Sequence, residues 1–363
     1  MHPTRHALIK PAVAQLQAYD PHKRPGQVKL DANEHPFTLP PVVQEAAFQA
    51  LTAVSINRYP DPEAEGLRHT LAKMLDVTPD MLLLGNGSDE LVHMVLMACG
   101  APGAAVLTPT PTFSMYGLGA RMLDQRAVEV SLAADWGLDM PQMLAAIARE
   151  QPRVTFLATP NNPTANCFAG AAVRQLIEGV PGVIVVDEAY YEFSGQTVLS
   201  LLQSYPHLLV FRTLSKVGMA GLRVGILVGN PELVYEINKV RLPYNLSVYS
   251  QVAAAVVLQH WEMLVPEFHT IIHERERLRE GLGRIPGVTV FPSQANFLLV
   301  RIDAGAAKVW EALAAQGILV RHFPGSPALR ECLRITVGTP PENELLTTTL
   351  QTIVAVVQPL IRT

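Results

Sequence analysis

The stretch VIVVDEAY, residues 183–190, decides the fold of this chain. Val183 to Val186 form an apolar run without polar alternation, and Asp187 and Glu188 follow it directly. Such a run predicts a strand that is buried on both faces, as in a parallel sheet covered by helices. Acidic side chains at the carboxyl end of that strand face the crevice in which open α/β sheets bind ligands.

Similar runs recur on both sides of this stretch. Short apolar runs occupy residues 81–84, 104–107, 154–157, 208–211 and 224–228. Helical patterns lie between several of them, and this alternation is typical of βαβ units. We therefore predict an α/β fold whose main sheet is mostly parallel and lies between helices.

The pattern changes near residue 250, where a smaller α+β domain is predicted to begin. One long helical stretch is expected from Ala253 to Leu282, followed by strands at residues 288–291, 297–302 and 333–337. We predict three parts: an N-terminal arm at residues 1–40 that packs with the small domain, a large domain at residues 41–250, and a small C-terminal domain at residues 251–363.

Composition narrows the class of protein. The chain has 363 residues, 49% of them apolar, and a formal net charge of −4, with Lys and Arg scattered along it. We expect a cytoplasmic enzyme that has neither a nucleic-acid nor a membrane partner. The three cysteines form no CxxC pair, and the histidines lack an HExxH frame, so we expect no metal ion in the site.

Two strand-end loops carry acids, and each admits two interpretations. GNGSDE, residues 85–90, leads from a strand into a helix; it suits an anion-binding turn or an ordinary capped helix. After the strand at 183–186, Asp187 could hold a cationic ring nitrogen and Tyr190 could donate to a phenolate oxygen. A metal-binding Asp-Glu pair is the rival interpretation, which the missing GxxxxGK[ST] sequence disfavours.

Two further loops carry an amine, hydroxyls and amides. In RTLSK, residues 212–216, Thr213 and Ser215 precede Lys216, whose amine can condense with an aldehyde if its pKa is lowered. Arg223 in AGLRVG could pair with a phosphate. TPNNPT, residues 159–164, suits a plain turn when taken alone.

Taken in order, these motifs carry a family resemblance. The set GNGSDE, PTFSMY, TPNNPT, VVDEAYYEF, RTLSK and AGLRVG resembles fold-type I pyridoxal-phosphate (PLP) aminotransferases over nearly the whole chain. Within that group, LDANEHPF, NRYPDP and CLRITVGTP resemble the histidinol-phosphate aminotransferases of class I/II, which serve histidine biosynthesis. The resemblance implies a seven-stranded sheet in the large domain and PLP as the cofactor.

The resemblance also assigns roles at the cofactor. Lys216 matches the Schiff-base lysine, and Asp187 matches the acid that keeps the pyridine nitrogen protonated. Tyr190 and Asn162 match the partners of the ring's phenolate oxygen, and Phe113 matches the aromatic residue stacked on the ring. The implied cofactor-phosphate site consists of Gly87, Ser88, Asp89, Thr213, Ser215 and Arg223.

Further roles concern the second subunit and the substrate. Tyr59 matches a residue that reaches the neighbouring subunit's cofactor phosphate, which implies a homodimer with shared sites. Arg334 matches the arginine that pairs with the substrate α-carboxylate. Further substrate contacts are expected from Arg321, Tyr19 and Asn33.

Three positions depart from the family pattern. Lys216 and Arg223 are seven residues apart where eight is usual in relatives. The loop at residues 162–165 reads NPTA instead of NPTG, and His35 stands where Asn is common.

The reaction implied is ping-pong transfer of an amino group between L-histidinol phosphate and 2-oxoglutarate. An aromatic or broad-specificity aminotransferase and a PLP decarboxylase of a phosphorylated amino acid are the alternatives. A non-catalytic PLP-binding regulator is disfavoured because every catalytic position is filled.

Overall fold

Two β-sheets organise the computed structural model, which describes residues 8–16, 28–303 and 305–357. The strands are β1 Val28–Leu30, β2 Leu82–Asn86, β3 Ala105–Thr110, β4 Arg126–Ser131, β5 Val154–Ala158, β6 Val183–Asp187, β7 Leu208–Thr213, β8 Val224–Gly229, β9 Val288–Val290, β10 Phe297–Ile302, β11 Ile318–His322 and β12 Cys332–Thr336. The helices are α1 Pro11–Ala14, α2 Pro41–Thr52, α3 Glu65–Leu75, α4 Ser88–Cys99, α5 Met115–Met122, α6 Met140–Glu150, α7 Gly170–Gly179, α8 Tyr191–Ser194, α9 Pro231–Asn238, α10 Val248–Gln259, α11 Val265–Gly283, α12 Ala306–Ala315 and α13 Pro340–Val357.

The larger sheet has seven strands in the order β2-β8-β7-β6-β5-β3-β4. Every neighbouring pair is parallel except the two that involve β8, which runs antiparallel to both β2 and β7. This arrangement confirms the predicted α/β class. The carboxyl ends of β5, β6 and β7 therefore lie side by side, and the loops that follow them meet at one edge.

The residues of β6 show why this sheet is buried on both faces. Ile184 and Val186 pack into the apolar cluster on one face of the sheet, whereas Val185 packs into the cluster on the other. All three side chains are completely buried. Each contributes on the order of 1.5–3 kcal/mol relative to an exposed position, which fixes the strand that carries Asp187.

The smaller sheet has five strands in the order β1-β11-β12-β10-β9. The short N-terminal strand β1 pairs in parallel with β11, so residues 28–30 belong to the same sheet as the C-terminal strands. Farther upstream, Lys10 forms an ion pair with Asp124 at 2.5 Å and donates to the Met122 carbonyl at 3.0 Å. The domain boundaries at residues 40 and 250 stay predictions.

One sequence prediction about elements was wrong, and three strands were missed. The single helical stretch from Ala253 to Leu282 is divided into α10 and α11, with a 3-10 turn at Trp261–Met263 between them. Pro266 lies in the first turn of α11, where its missing N–H has no helical partner to lose. Strands β1, β4 and β11 were not recognised. Within the described ranges, no helix is both long and apolar enough to cross a bilayer.

Candidate active site

The carboxylate of Asp187 is the buried acid at the centre of the strand-end edge. Tyr116 donates its hydroxyl to Asp187 Oδ2 at 2.7 Å, and the Ala189 N–H donates to Oδ1 at 3.0 Å. Burial raises the pKa of the Asp187 carboxyl, while these two hydrogen bonds act in the opposite direction. The carboxylate is thus held in one orientation and retains lone pairs for a further donor.

Lys216 ends the 3-10 turn that follows β7. Its Nζ donates to the Ala32 carbonyl at 3.3 Å and lies 5.9 Å from the centroid of the Tyr190 ring. Burial lowers the pKa of Lys216 to about 8, and the positive charges of Arg334 and Arg223 add to that effect. About a tenth of such an amine is neutral at pH 7, far more than for an exposed lysine, and the neutral form is nucleophilic.

A turn between β2 and α4 forms a cradle at the same edge. Gly87 has φ of 79°, and a Cβ added there would lie 2.3 Å from Arg223 Nη2. Ser88 begins α4, whose first N–H groups have no partner within the helix and favour an anion. Arg223 Nη2 also lies 3.8 Å from Asp89 Oδ2. The cradle therefore combines a guanidinium with a helix start.

The shortened loop between Lys216 and Arg223 still brings both residues to this edge. Gly218 (φ 90°) and Arg223 (φ 54°) adopt left-handed conformations that turn the chain sharply. Thr213 Oγ1 accepts a hydrogen bond from the Ser215 N–H at 3.1 Å and lies 3.0 Å from Ser215 Oγ. Both hydroxyls are thereby ordered beside Lys216.

Arg334 on β12 reaches the large sheet. Its Nη1 donates to Asn162 Oδ1 at 2.7 Å, and its Nη2 donates to the Asp31 carbonyl at 2.6 Å. Arg321 lies directly opposite Arg334 in the antiparallel β11–β12 pair, so the two side chains project from the same face of the small sheet. Two neighbouring guanidinium groups suit a ligand with two anionic groups.

Tyr190 and Asn33 meet above β6. Asn33 Nδ2 donates to the Tyr190 hydroxyl at 2.9 Å, and both residues are buried. Burial raises the pKa of Tyr190, whereas the Arg334 charge and the Asn33 hydrogen bond lower it. The hydroxyl is therefore a neutral group that can donate its proton.

The other predicted site residues differ in their exposure and in the side chains that they contact. The Phe113 ring meets Tyr116 edge to face, with centroids 5.5 Å apart. The Tyr59 ring is 81% exposed and stacks on Tyr244 at 4.6 Å. Tyr19 lies outside the described residues. The His35 side chain is 2% exposed, with Nδ1 at 3.2 Å from the Phe37 carbonyl.

Glu188 belongs to a structural ion pair. Its Oε2 lies 2.7 Å from Arg212 Nη2, and its side chain also accepts from Thr197 and from the Val198 N–H. Both charged side chains are almost completely buried. These contacts use Glu188 to join the ends of β6 and β7. No cluster of metal-ligating side chains occurs among the residues described.

Tyr116 is the residue that sequence reasoning missed. It lies in the quoted motif PTFSMY, three positions after Phe113, but no role was assigned to it. Its hydroxyl meets Asp187 across 71 residues of sequence, and its ring stacks on Phe156 at 4.6 Å. A Tyr on the helix that follows an aromatic site residue is the signal that could have identified it.

Comparisons with known proteins agree with this geometry. Residues 25–350 match the family model described as aminotransferase class I and II. Histidinol-phosphate aminotransferase 2 of Nitrosococcus oceani is 44% identical over 338 residues, 92% of this chain and 94% of that protein. Histidinol-phosphate aminotransferase 2 of Bordetella parapertussis is 42% identical over 353 residues, 96% of each chain.

A solved structure gives the same result for the fold. Histidinol-phosphate aminotransferase from Sinorhizobium meliloti, crystallised in complex with pyridoxal-5'-phosphate, superposes with a TM-score of 0.88 at 27% identity, covering 96% of this chain and 98% of that one. Both the sequence matches and this superposition extend over both sheets. The chain belongs to the class I and II aminotransferase family.

Proposed function

We propose that the chain is a PLP-dependent aminotransferase that acts on L-histidinol phosphate in histidine biosynthesis. The observation that carries the proposal is the convergence of a lysine of lowered pKa, a buried carboxylate and an anion cradle on one sheet edge. The names of relatives that are 42–44% identical over more than nine-tenths of the chain support the substrate.

The described residues fit PLP chemically. The cradle at Gly87 and Ser88 accepts a phosphate, and only a residue without Cβ leaves room there for the Arg223 guanidinium. Asp89 contributes its backbone N–H, since its carboxylate cannot accept a bond from a phosphate oxygen. Thr213 and Ser215 supply hydroxyl groups, and Phe113 supplies a ring face.

A carboxylate, a hydroxyl and an amide complete the cofactor site. Asp187 holds a positive charge on the pyridine nitrogen through a charge-assisted hydrogen bond. Tyr190 and Asn162 hydrogen-bond the ring oxygen. Bound PLP supplies an aldehyde that joins amines and a ring that withdraws electrons from the attached carbon.

Lys216 has two tasks in this proposal. Its Nζ would hold the cofactor between turnovers, and the freed amine would move a proton from the substrate Cα to the cofactor carbon, with the opposite direction in the second half-reaction. A pKa near 8 suits both tasks, because the amine exchanges protons readily near neutral pH.

The substrate pocket must accept two ligands in turn. L-Histidinol phosphate carries a phosphate and no carboxylate, whereas 2-oxoglutarate carries two carboxylates. Arg334 binds the α-carboxylate of the oxo acid, and Arg321, on the same sheet face, binds the distal carboxylate or the substrate phosphate. Tyr19 is a further candidate for the phosphate contact.

The assembly and location complete the proposal. The exposed Tyr59 side chain is available to reach the cofactor phosphate of a second subunit, as in a homodimer with shared sites. We place the enzyme in the cytoplasm, because its three scattered cysteines without a CxxC pair fit a reducing compartment.

The test is a substrate screen with two product assays. The PLP-loaded enzyme is given histidinol phosphate, histidinol, phenylalanine or a phosphorylated amino acid with 2-oxoglutarate, and glutamate and CO2 are both measured. We expect glutamate, with kcat/KM highest for histidinol phosphate, because donors that lack a phosphate leave Arg321 without an anionic partner in the complex. Equal or higher values for the phosphate-free donors indicate a broad-specificity aminotransferase. Release of CO2 from a phosphorylated amino acid indicates a decarboxylase.

A further inference from the structure

Asn33 lies buried between the two sheets, and its backbone is held in one conformation. It is only 1% exposed and has a left-handed backbone with φ of 53°. Its N–H donates to Thr336 Oγ1 at 2.9 Å, and its carbonyl accepts from Asn296 Nδ2 at 3.1 Å. Asn is among the few residues other than Gly that tolerate this conformation. Contacts of its backbone atoms alone therefore fix the position of Asn33.

The Thr336 hydroxyl determines which way the Asn33 amide faces. That hydroxyl accepts from the Asn33 N–H, so its own proton is available as a donor. The nearest acceptor is Asn33 Oδ1 at 3.3 Å. With Oδ1 turned toward Thr336, the Nδ2 donor faces the Tyr190 hydroxyl at 2.9 Å.

The direction of this bond constrains the Tyr190 proton. A phenol has one proton to donate and two lone pairs that accept. Because Asn33 Nδ2 offers only protons, Tyr190 accepts there and must donate elsewhere. Lys216 Nζ lies 5.9 Å from the Tyr190 ring, so the cofactor held by Lys216 is a nearby acceptor.

We propose that Asn33 is a positioning residue that turns the Tyr190 hydroxyl proton toward the ring oxygen of the cofactor. This inference rests on the proposed PLP function and gives Asn33 a task other than substrate contact. The hydrogen bond from Tyr190 withdraws negative charge from the ring oxygen. That charge otherwise retains a proton on the nitrogen that links Lys216 to the cofactor.

The experiment is a pH titration of the visible absorbance of the PLP-loaded enzyme without substrate. Asn33→Gly removes the amide but keeps the left-handed backbone, and Tyr190→Phe removes the phenol proton. We expect the apparent pKa of the linkage to rise by about one unit in each single variant, the scale of one hydrogen bond. In the Tyr190→Phe background, Asn33→Gly should add nothing, because the two residues act through one bond.

Asn33→Asp is the second variant, since it retains the shape of the side chain. Its carboxylate only accepts, so it draws the Tyr190 proton away from the cofactor and should raise the apparent pKa further. Circular dichroism and bound-PLP stoichiometry establish that each variant is folded and loaded. If the visible band of Asn33→Gly titrates with the same apparent pKa as that of the wild type, the inference is wrong and the proposed function stays intact.

Two other outcomes separate the possibilities. If Asn33→Gly changes KM while the substrate-free titration is unchanged, Asn33 contacts substrate and the positioning role is wrong. If the wild-type protein binds no PLP at all, the proposed function fails, and the inference fails with it.

Discussion

Burial of the Lys216 amine lowers its pKa to about 8 and makes it reactive at a lower pH than an exposed lysine. Below that pH the amine is protonated and cannot attack an aldehyde; above it the amine is neutral. The rate of PLP incorporation into cofactor-free protein should therefore rise about tenfold per pH unit below pH 7 and level off above pH 8. Stopped-flow absorbance measures this rate.

The matched control for this prediction is the reaction of PLP with Nα-acetyl-lysine. Its rate should keep rising to about pH 10, because its amine has an ordinary pKa. If incorporation into the protein follows the control instead of levelling off, the lowered pKa is contradicted.

Tyr116 should tune Asp187 without contacting substrate. Tyr116→Phe removes one of the two hydrogen bonds that lower the pKa of Asp187, so the carboxylate becomes easier to protonate. We expect kcat to fall roughly ten- to a hundredfold at unchanged PLP occupancy, since one hydrogen bond to a charged group contributes about 1.5–3 kcal/mol. Asp187→Asn should lose considerably more.

A surface tyrosine provides the control. Tyr205 donates to Glu178 at the same 2.7 Å distance on the exposed side of the protein. Tyr205→Phe should leave kcat unchanged. Wild-type turnover in Tyr116→Phe would show that the buried bond has no catalytic consequence.

The location of a site residue was predictable from the sequence where the residue directly follows a predicted strand. Asp187 follows an apolar run, and Lys216 follows the next strand, so both are expected at the same sheet edge. The contacts of Tyr116 with Asp187 and of Asn33 with Tyr190 required the structure, because they join segments that are 71 and 157 residues apart in the chain. Local periodicity carries no information about such contacts.

At the scale of elements, the buried Glu188–Arg212 pair should hold the ends of β6 and β7 together. Arg212→Met leaves the Glu188 carboxylate buried without its cation. We expect a loss of about 3–5 kcal/mol in the free energy of unfolding. Urea denaturation followed by circular dichroism measures it.

An exposed ion pair is the comparison. Arg149 pairs with Glu150 at 2.6 Å, and the Arg149 side chain is 67% exposed. Arg149→Met should lower the free energy of unfolding far less than Arg212→Met does, because water screens that pair. Equal losses in the two variants would mean that the buried pair does not stabilise the site.

The strands that were predicted correctly are those formed by consecutive apolar residues. Residues 183–186, 208–211 and 224–228 all lie within observed strands. Strand β4 was missed because it lies at the sheet edge and exposes Arg126, Glu129 and other polar residues. The break between α10 and α11 was missed because the apolar spacing continues through it, even though Pro266 marks the new helix start.

At the scale of the whole molecule, N-terminal residues connect the two sheets at the site. The Asp31 carbonyl accepts from Arg334, the Ala32 carbonyl accepts from Lys216, and Asn33 donates to Tyr190. The segment after β1 thus contacts residues from both sheets. Its position follows from the pairing of β1 with β11. The sequence predicted an arm that packs with the small domain but not that this arm contains a strand.

The proposed homodimer predicts complementation between defective subunits. Tyr59→Phe and Lys216→Ala subunits are mixed and allowed to exchange. If Tyr59 serves the partner's site, each heterodimer has one site with both defects and one with neither, so activity should rise toward a quarter of wild type at full exchange. Subunit exchange is confirmed by native mass spectrometry. Exchange without recovered activity would show that the sites are not shared.

The central claim is that Lys216 carries the cofactor. Borohydride reduction of the PLP-loaded enzyme, followed by proteolysis and mass spectrometry, fixes the cofactor covalently to the lysine that holds it. The account predicts a label on Lys216 at one per chain, and neither label nor turnover in Lys216→Ala. A label on any other lysine, or turnover by Lys216→Ala, would contradict the account.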